Sequence, residues 1–239
     1  MNFPLDEGVS FELSDGDAHH VTNVLRGCPG DTFEAVDSER RLFEAELNGE
    51  RGAEVLREEN ARWDALDVRL YQAVPKGKHM DLVVEKATEL GVGTLVPLMT
   101  ERGDVKMGDE RKKVERWRRI AESAARQSLQ LRVPEVRDPV SFVDAARDEG
   151  RAGVMLHNEE GLSVLEEFAA SPALSLFVGP EGGWSESELE LGADRGLSLA
   201  QLGWYRLRSE TAGIVAVARA RATMERNIER LERSGDGRR

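Results

Sequence analysis

Three glycines occur within five positions in the stretch Gly179–Gly183, which follows the apolar run Leu174–Val178. Glycine loses more backbone freedom on folding than any other residue, so this cluster indicates either a tight turn or a main chain that something approaches closely. The next residues, Ser185–Glu188, have the pattern of a capping box, which predicts that a helix begins there. A strand, a glycine-rich turn and a helix in this order are typical of ligand sites in open α/β sheets. A purely structural turn is the alternative.

A second stretch, from Leu202 to Ala220, is organised in the same way. The chain leaves an apolar segment at Leu202-Gly203, crosses a short polar loop, and is predicted to begin a helix near Ser209. Small residues early in that helix allow close packing against a neighbour. Two successive strand exits, each with a glycine and an arginine or a glutamate, predict the floor of one pocket better than two unrelated turns.

The elements that must position these loops follow from the hydrophobic pattern. From residue 67 onward, apolar runs predict strands at 68–74, 94–99, 152–157, 174–179 and 197–203. Helical periodicity predicts helices at 80–91, about 109–128, and from about 209 past 228. In the first of these helices one stripe of side chains is expected to be buried: Leu82, Val83, Ala87 and Leu90. Strands that alternate with helices predict a mostly parallel sheet covered on both faces.

The first sixty residues have a different pattern, of short alternating strands and turns. The segments 31–38 and 41–49 are predicted to pair as a hairpin, so a compact β-barrel or sandwich is expected. The polar stretch 56–65 is predicted to be a linker. We therefore expect two domains, residues 1–62 and residues 67–239, of which the second is the α/β domain.

Composition narrows the classes of protein further. The 239 residues include one cysteine, Cys28, and no apolar run long enough to cross a bilayer. We therefore expect no membrane span, no internal disulfide and a cytoplasmic location. The net charge of −12 is uneven: residues 1–60 hold 15 acidic and 5 basic groups, residues 101–126 hold 6 and 9, and residues 219–239 hold 4 and 7. The two basic stretches predict either contact with a polyanion or a solvated helix face.

The sequence patterns of several common binding sites and catalytic mechanisms are absent from this chain. The chain has no G-x-x-x-x-G-K-[ST] phosphate loop. The glycine pair within 89–94 lies after a predicted helix and before a strand, so Gly91 is interpreted as a helix C-cap rather than part of a nucleotide-binding turn. No pattern for covalent nucleophilic catalysis is present. Metal binding is not expected, because the four histidines are not at ligand spacing: His19, His20, His79 and His157.

Six stretches of the chain together resemble one known family. They are residues 19–31, 75–92, 101–106, 125–136, 177–190 and 202–212. In this order and spacing they resemble the SPOUT superfamily of knotted methyltransferases and, within it, the bacterial 16S ribosomal RNA uracil-N3 methyltransferases. The resemblance extends over nearly the whole chain.

The resemblance implies a C-terminal α/β domain with a mostly parallel sheet and a deep trefoil knot, joined to a small N-terminal PUA-like β-barrel that binds RNA. It also implies S-adenosylmethionine as methyl donor, 16S ribosomal RNA of the small ribosomal subunit as substrate, and a homodimer. Two alternatives stay open. One is a PUA-like RNA-binding protein that has lost catalysis, and the other is a SPOUT methyltransferase that acts on transfer RNA.

The family's cofactor site maps onto matching positions of this chain. The donor is expected to press against main-chain atoms where a Cβ would intrude. The implied cofactor-binding residues are Leu156, Gly179, Pro180, Glu181, Gly182, Gly183, Leu202, Gly203, Leu207, Ser209, Thr211 and Ala212.

The resemblance also implies groups for catalysis and for RNA binding. The catalytic candidates are Arg208, which would stabilise charge on a uracil oxygen, and Glu181 and Glu210, one of which would accept the N3 proton. Glu210 has the alternative role of favouring a helix dipole. The RNA-facing candidates are Arg26, Lys76, Lys78, Arg102, Lys106, Arg116 and Arg119. Three charged residues of the matched motif are interpreted as structural: Glu85, Lys86 and Glu89.

Overall fold

The computed structural model describes residues 3–39, 41–59, 66–103, 110–128, 130–148 and 152–235. The chain divides into two units, Met1–Asp64 and Ala65–Arg239. In the first unit, the strands are β1 (Ser10–Glu12), β2 (Thr32–Val36), β3 (Leu42–Leu47) and β4 (Gly52–Glu59). Helix α1 (Asp15–His19) and a π-helical turn (His20–Val24) lie between β1 and β2. The described strands of this unit form an antiparallel sheet in the order β1-β4-β3-β2.

The sheet of the first unit tests two predictions. The predicted hairpin is confirmed, since β2 and β3 pair antiparallel. The predicted linker at 56–65 is wrong at its start, because β4 continues to Glu59 and Arg57 pairs across the sheet with Glu44. The rest of that stretch, residues 60–65, lies outside the described residues.

A buried carboxylate closes the turn between β2 and β3. Asp37 accepts hydrogen bonds from the backbone N–H groups of Leu5, Glu39 and Arg41, and its Oδ2 lies 2.9 Å from Nη2 of Arg41. Burial alone would raise the pKa of Asp37, but these hydrogen bonds and the Arg41 charge outweigh it and hold the pKa below its ordinary value of 3.8. Asp37 therefore fixes the hairpin turn against the segment that precedes β1.

The second unit contains the parallel sheet that the sequence predicts. Its strands are β5 (Asp67–Ala73), β6 (Thr94–Met99), β7 (Glu135–Val136), β8 (Val140–Ser141), β9 (Gly153–Leu156), β10 (Ala173–Val178) and β11 (Ser198–Ala200). Their order is β11-β9-β10-β5-β6-β7, with β8 also paired to β6. The helices are α2 (His79–Glu89), α3 (Glu110–Gln127), α4 (Phe142–Asp148), α5 (Glu186–Asp194) and α6 (Ser209–Gly235), with a 3-10 turn at Leu165–Phe168. Membrane-spanning helices and clusters of three or more potential metal ligands are both absent from the described residues.

Side chains alternate between the two faces of this sheet, and both faces are covered. Leu70 of β5 packs among residues of α2, α3 and α6, while the neighbouring Tyr71 lies on the opposite face. Tyr71 stacks on Phe177 of β10 with 4.3 Å between ring centroids, and Phe142 of α4 meets Phe177 edge-on. Because both faces are buried, the central strands are largely apolar along their length, which explains the run Leu174–Val178.

Helix α2 ends as predicted, but its buried stripe differs from the prediction. Gly91 has a φ of +79° and its N–H donates to the carbonyl oxygen of Thr88, so it terminates the helix. Leu82 is 43% exposed, so its predicted burial is wrong. Val83 and Ala87 are fully buried, and Leu82 cannot share their face because successive helical residues point about 100° apart.

Candidate active site

A cavity lies where three adjacent parallel strands end. Leu156 is the last residue of β9, Val178 is the last residue of β10, and Leu202 follows β11. The cavity has a volume of about 480 Å³, within the range of about 300–1,000 Å³ that is usual for small-molecule sites. Its lining residues are Leu156, His157, Asn158, Val178, Gly179, Pro180, Glu181, Gly183, Trp184, Leu202, Gly203, Tyr205, Arg206, Leu207, Arg208, Ser209 and Ala212.

The structure brings together most of the residues that the resemblance named for the cofactor. Those that line the cavity are Leu156, Gly179, Pro180, Glu181, Gly183, Leu202, Gly203, Leu207, Ser209 and Ala212. Gly182 and Thr211 are not among the lining residues. Sequence reasoning missed six others: His157, Asn158, Val178, Trp184, Tyr205 and Arg206. The signal for His157 and Asn158 was available, because they directly follow β9 at the same edge of the sheet.

The glycines of the first loop have structural reasons of their own. A Cβ at Gly179 would lie 3.1 Å from the indole of Trp184, and a Cβ at Gly182 would lie 3.3 Å from Cβ of Arg102. Trp184 is buried, and its Nε1–H donates to the carbonyl oxygen of Leu156 at 3.0 Å. Gly179 is therefore small because a tryptophan of the same chain packs against it, which differs from the expected contact with a ligand.

Two other glycines of the site have positive φ angles and open space beside them. Gly183 has a φ of +71° and Gly203 has a φ of +132°, in the region that favours glycine. Apart from the adjacent residues of the chain, no heavy atom of the described residues lies within 4 Å of the Cβ position at either glycine. These two positions therefore leave bare main chain at the cavity.

A chain of hydrogen bonds fixes the start of α6 to the glycine loop. Gln72, fully buried on β5, donates Nε2–H to the hydroxyl oxygen of Ser209 at 2.9 Å. The Ser209 hydroxyl in turn donates to the carbonyl oxygen of Gly179 at 2.7 Å. Gln72 Oε1 is buried and has no hydrogen-bond partner among the residues that the structure describes, and a Cβ at Gly213 would collide with it. The first turn of α6 therefore packs closely on β5.

An ion pair holds Leu202, one of the lining residues of the cavity. Arg219 of α6 donates to the carbonyl oxygen of Leu202, and its guanidinium also contacts both carboxylate oxygens of Glu166, at 2.5 Å and 2.7 Å. Burial alone would raise the pKa of Glu166, but the hydrogen bonds from Arg219 outweigh it and hold the pKa below its ordinary value of 4.5. The Glu166–Arg219 pair thus sets the position of Leu202 at the exit of β11.

A third set of contacts attaches the loop after β6 to the start of α5. Ser185 and Glu188 form the predicted capping box, with Ser185 Oγ accepting from the Glu188 N–H at 3.2 Å. Glu188 Oε2 accepts from the Ser185 N–H, and Oε1 accepts from the N–H of Glu101 at 2.9 Å. Hydrogen bonds from Ser185 and Ser187 hold the pKa of Glu101 below its ordinary value of 4.5. The capping box is therefore also a tether for the loop that carries Arg102.

The three catalytic candidates lie in two different environments. Arg208 and Glu181 are exposed and line the cavity. Glu210 is 7% exposed and is not among the lining residues. Its Oε1 lies 3.6 Å from Nδ1 of His79, the first residue of α2. The histidine therefore has an acidic neighbour that its sequence position did not reveal.

The RNA-facing candidates that the structure describes belong to several different loops and to helix α3. Exposed side chains are those of Arg26, Lys76, Lys78, Arg102, Arg116 and Arg119, and Lys106 lies outside the described residues. Arg102 donates to the carbonyl oxygen of Gly182 at 3.4 Å, so it lies beside the glycine loop. Arg116 pairs with Asp81 at 2.5 Å, which gives it a structural partner on α2. From the sequence, Glu85, Lys86 and Glu89 are interpreted as structural. In agreement with this, Lys86 forms ion pairs with both Glu85 and Glu89.

Comparison with known proteins identifies the family. The profile of the RNA methyltransferase domain matches residues 62–221. A protein of Mycobacterium tuberculosis named ribosomal RNA small subunit methyltransferase E is 36% identical over 229 residues, which cover 89% of this chain and 86% of that protein. A Synechocystis protein of the same name is 32% identical over 225 residues, which cover 89% of this chain and 73% of that protein. The chain belongs to the ribosomal RNA small subunit methyltransferase E family.

Solved structures of similar proteins have the same fold. A protein from Legionella pneumophila, solved in complex with the bound cofactor S-adenosylmethionine, has a TM-score of 0.72 and 30% identity, with 92% of this chain and 95% of that chain covered. A ribosomal RNA small subunit methyltransferase E from Neisseria gonorrhoeae, bound to S-adenosylmethionine, has a TM-score of 0.74 and 28% identity, with 91% and 93% covered. The family membership and these structures establish the α/β fold with its parallel sheet.

Proposed function

We propose that this chain transfers a methyl group from S-adenosylmethionine to N3 of a specific uridine in the 16S ribosomal RNA of the small ribosomal subunit. The observation that carries the proposal is the cavity of about 480 Å³ at the ends of β9, β10 and β11. The names of the curated relatives support small-subunit ribosomal RNA as substrate. The bound cofactor of the Legionella and Neisseria proteins supports S-adenosylmethionine as donor.

The residues around the cavity fit this cofactor. Leu156, Leu202 and Leu207 provide an apolar wall of the kind that an adenine ring contacts. The main chain at Gly183 and Gly203 borders space that a side chain would occupy at either position. When bound, the cofactor supplies an electrophilic methyl group on a positively charged sulfur.

The chain's own residues must prepare the uracil. N3 carries a proton, which must be removed so that the nitrogen lone pair can attack a methyl carbon held in line. We assign Glu181 as the acceptor of this proton and Arg208 as the donor that stabilises negative charge on a uracil oxygen, because both line the cavity. We assign Glu210 a positioning role, because it is buried beside His79.

We also propose the finer architecture that the resemblance implies. A deep trefoil knot is supported by the three strand exits that converge on one cavity, and a PUA-like barrel is supported by the antiparallel sheet of the first unit. We also propose a homodimer and a cytoplasmic location. Sedimentation equilibrium tests the dimer, for which the expected mass is twice the 26.5 kDa of one chain.

RNA contacts complete the proposal. Lys76 and Lys78 lie in the loop between β5 and α2, and Arg102 lies beside Gly182, so these three are placed at the same edge of the sheet as the cavity. We propose that they contact phosphates, together with Arg26, Lys106 and Arg119. Arg116 is the weakest candidate, because its charge is already paired with Asp81.

The proposed function is tested with small ribosomal subunits from a strain that lacks the corresponding gene. The protein and labelled S-adenosylmethionine are expected to place one methyl group on N3 of one 16S uridine, located by mass mapping. If calorimetry shows no binding of the cofactor, the chain is an RNA-binding protein without catalysis. If the label appears in transfer RNA alone, the substrate is transfer RNA and not 16S ribosomal RNA.

The catalytic assignment has its own test. Glu181→Gln and Arg208→Met are each expected to lower kcat by about 10²–10⁴-fold. Glu210→Gln serves as the comparison and is expected to alter thermal stability more than kcat. A larger kcat loss in Glu210→Gln than in Glu181→Gln would reverse the two roles.

A further inference from the structure

The loop between β11 and α6 exposes two large aromatic side chains. Trp204 is 97% exposed and Tyr205 is 87% exposed, whereas Tyr71, Trp117 and Trp184 are all at most 5% exposed. Neither of the exposed rings belongs to an aromatic pair among the residues that the structure describes. Burying an aromatic ring stabilises a folded protein or a complex. Two adjacent rings that the chain leaves exposed to water therefore indicate a partner that covers them.

These rings lie directly beside the cavity. Tyr205, Arg206, Leu207 and Arg208 line it, and Trp204 precedes them in the chain without being part of the lining. The loop therefore has one ring at the cavity wall and the next ring outside it.

The charge of the loop indicates which partner covers the rings. Residues 203–208 contain two arginines and no acidic residue, in a chain whose net charge is −12. Arginine beside exposed aromatic rings is the composition of surfaces that bind single-stranded nucleic acid, where phosphates contact the cation and bases stack on the rings. The same loop offers no acidic group to pair with a basic protein surface.

We infer that Trp204 and Tyr205 form a stacking surface for unpaired bases of the substrate RNA at the mouth of the cavity. Tyr205 stacks on the base that enters the cavity, Trp204 stacks on a neighbouring base, and Arg206 contacts the phosphate group between them. This inference rests on the proposed function for the identity of the RNA. It adds that the loop recognises an unstacked segment rather than a duplex.

The test compares two single-stranded ligands, a fluorescein-labelled uridine decamer and an abasic decamer with the same sugar–phosphate backbone. The wild-type chain is expected to bind the uridine decamer more tightly, by about tenfold for each stacking ring. The double variant Trp204→Ala/Tyr205→Ala is expected to bind both decamers equally. The conservative double variant Trp204→Phe/Tyr205→Phe keeps two rings and is expected to retain the preference. Equal binding of the two decamers by the wild type, or an undiminished preference in the alanine variant, would overturn the inference.

Two further measurements separate the remaining outcomes. The thermal unfolding midpoint of each variant reports whether it is folded. A lower sedimentation mass for the alanine variant than for the wild type would mean that the rings cover a contact with a second copy, and the inference would be wrong. A wild-type chain that prefers the uridine decamer but does not methylate small subunits would contradict the proposed function and leave the stacking surface supported.

Discussion

Gln72 and Ser209, which are 137 positions apart in the chain, are joined by a buried hydrogen bond of 2.9 Å. Gln72→Leu keeps the approximate volume but removes the donor, so the Ser209 hydroxyl loses the contact that orients it toward Gly179. We expect a loss of about 1–3 kcal/mol in the free energy of unfolding and a weaker Kd for S-adenosylmethionine. Urea unfolding and calorimetry measure the two effects. Ser209→Thr retains a hydroxyl and is the matched control; equal losses in both variants would mean that packing, and not this hydrogen bond, is responsible.

A second prediction concerns the hydrogen bond that Arg219 donates to the carbonyl oxygen of Leu202. Arg219→Lys keeps the positive charge but replaces the planar guanidinium group with a single ammonium group. The ammonium group cannot contact both the Glu166 carboxylate and the Leu202 carbonyl oxygen as the guanidinium does. We expect the Kd of the cofactor to rise about tenfold while kcat changes little, because the wall moves and the reacting groups do not. An unchanged Kd in calorimetry would show that Leu202 is held by packing alone.

The Glu166–Arg219 pair also predicts a pH dependence. The pKa of Glu166 is held below 4.5 in the folded chain, so its contribution to stability is complete above pH 4.5 and is lost as the pH falls through the lower folded pKa. Glu166→Gln removes this contribution, which we expect to be about 1–2 kcal/mol at neutral pH. Urea unfolding of both proteins between pH 3 and pH 7 measures it. The difference between them must shrink as the pH falls, and a constant difference would contradict the assignment.

Gly179 provides a steric prediction. The Cβ of Gly179→Ala would lie 3.1–3.3 Å from atoms of the Trp184 indole, which a buried ring that donates to Leu156 can accommodate only by shifting. We expect a loss of about 1–3 kcal/mol in stability and a weaker cofactor Kd. Gly16→Ala is the control, because its Cβ would meet its nearest neighbour only at 4.0 Å. Similar losses in the two variants would show that the indole does not restrict position 179.

Asp37 predicts an effect confined to the first unit. Asp37→Asn removes the negative charge that Arg41 and the backbone N–H groups of the turn contact. We expect the amides of β2 and β3 to exchange hydrogen about tenfold faster or more, while those of β5 and β10 keep their protection. Hydrogen exchange followed by mass spectrometry checks this. Glu39→Gln, at a more exposed ion pair with Arg41, is expected to leave the exchange of β2 and β3 unchanged.

The parts of the fold that the sequence predicted correctly are those with local causes. The capping box of Ser185 and Glu188 involves residues three positions apart, so four letters of sequence suffice to predict it. Gly91 likewise ends α2 through its own φ angle and the residues just before it. Strand positions followed from apolar runs, because a parallel sheet with both faces covered needs them.

The contacts that the sequence did not reveal join distant positions. His79 and Glu210 lie 3.6 Å apart but 131 positions apart in the chain, and nothing near either residue indicates the other. The indole of Trp184 explains Gly179 only once the loop is folded back on itself. Arg206 and Tyr205 were within a stretch already singled out, yet their presence in the cavity lining depends on the path of the loop.

Glu188 uses one carboxylate oxygen to complete the N-terminus of α5 and the other to hold the backbone of Glu101. Aspartate is one methylene shorter and cannot span both sites, and glutamine would turn an amide donor toward one of two N–H groups. Only glutamate combines the reach with two acceptors. Selection for folding alone would therefore keep this residue, even in a descendant that no longer modified RNA.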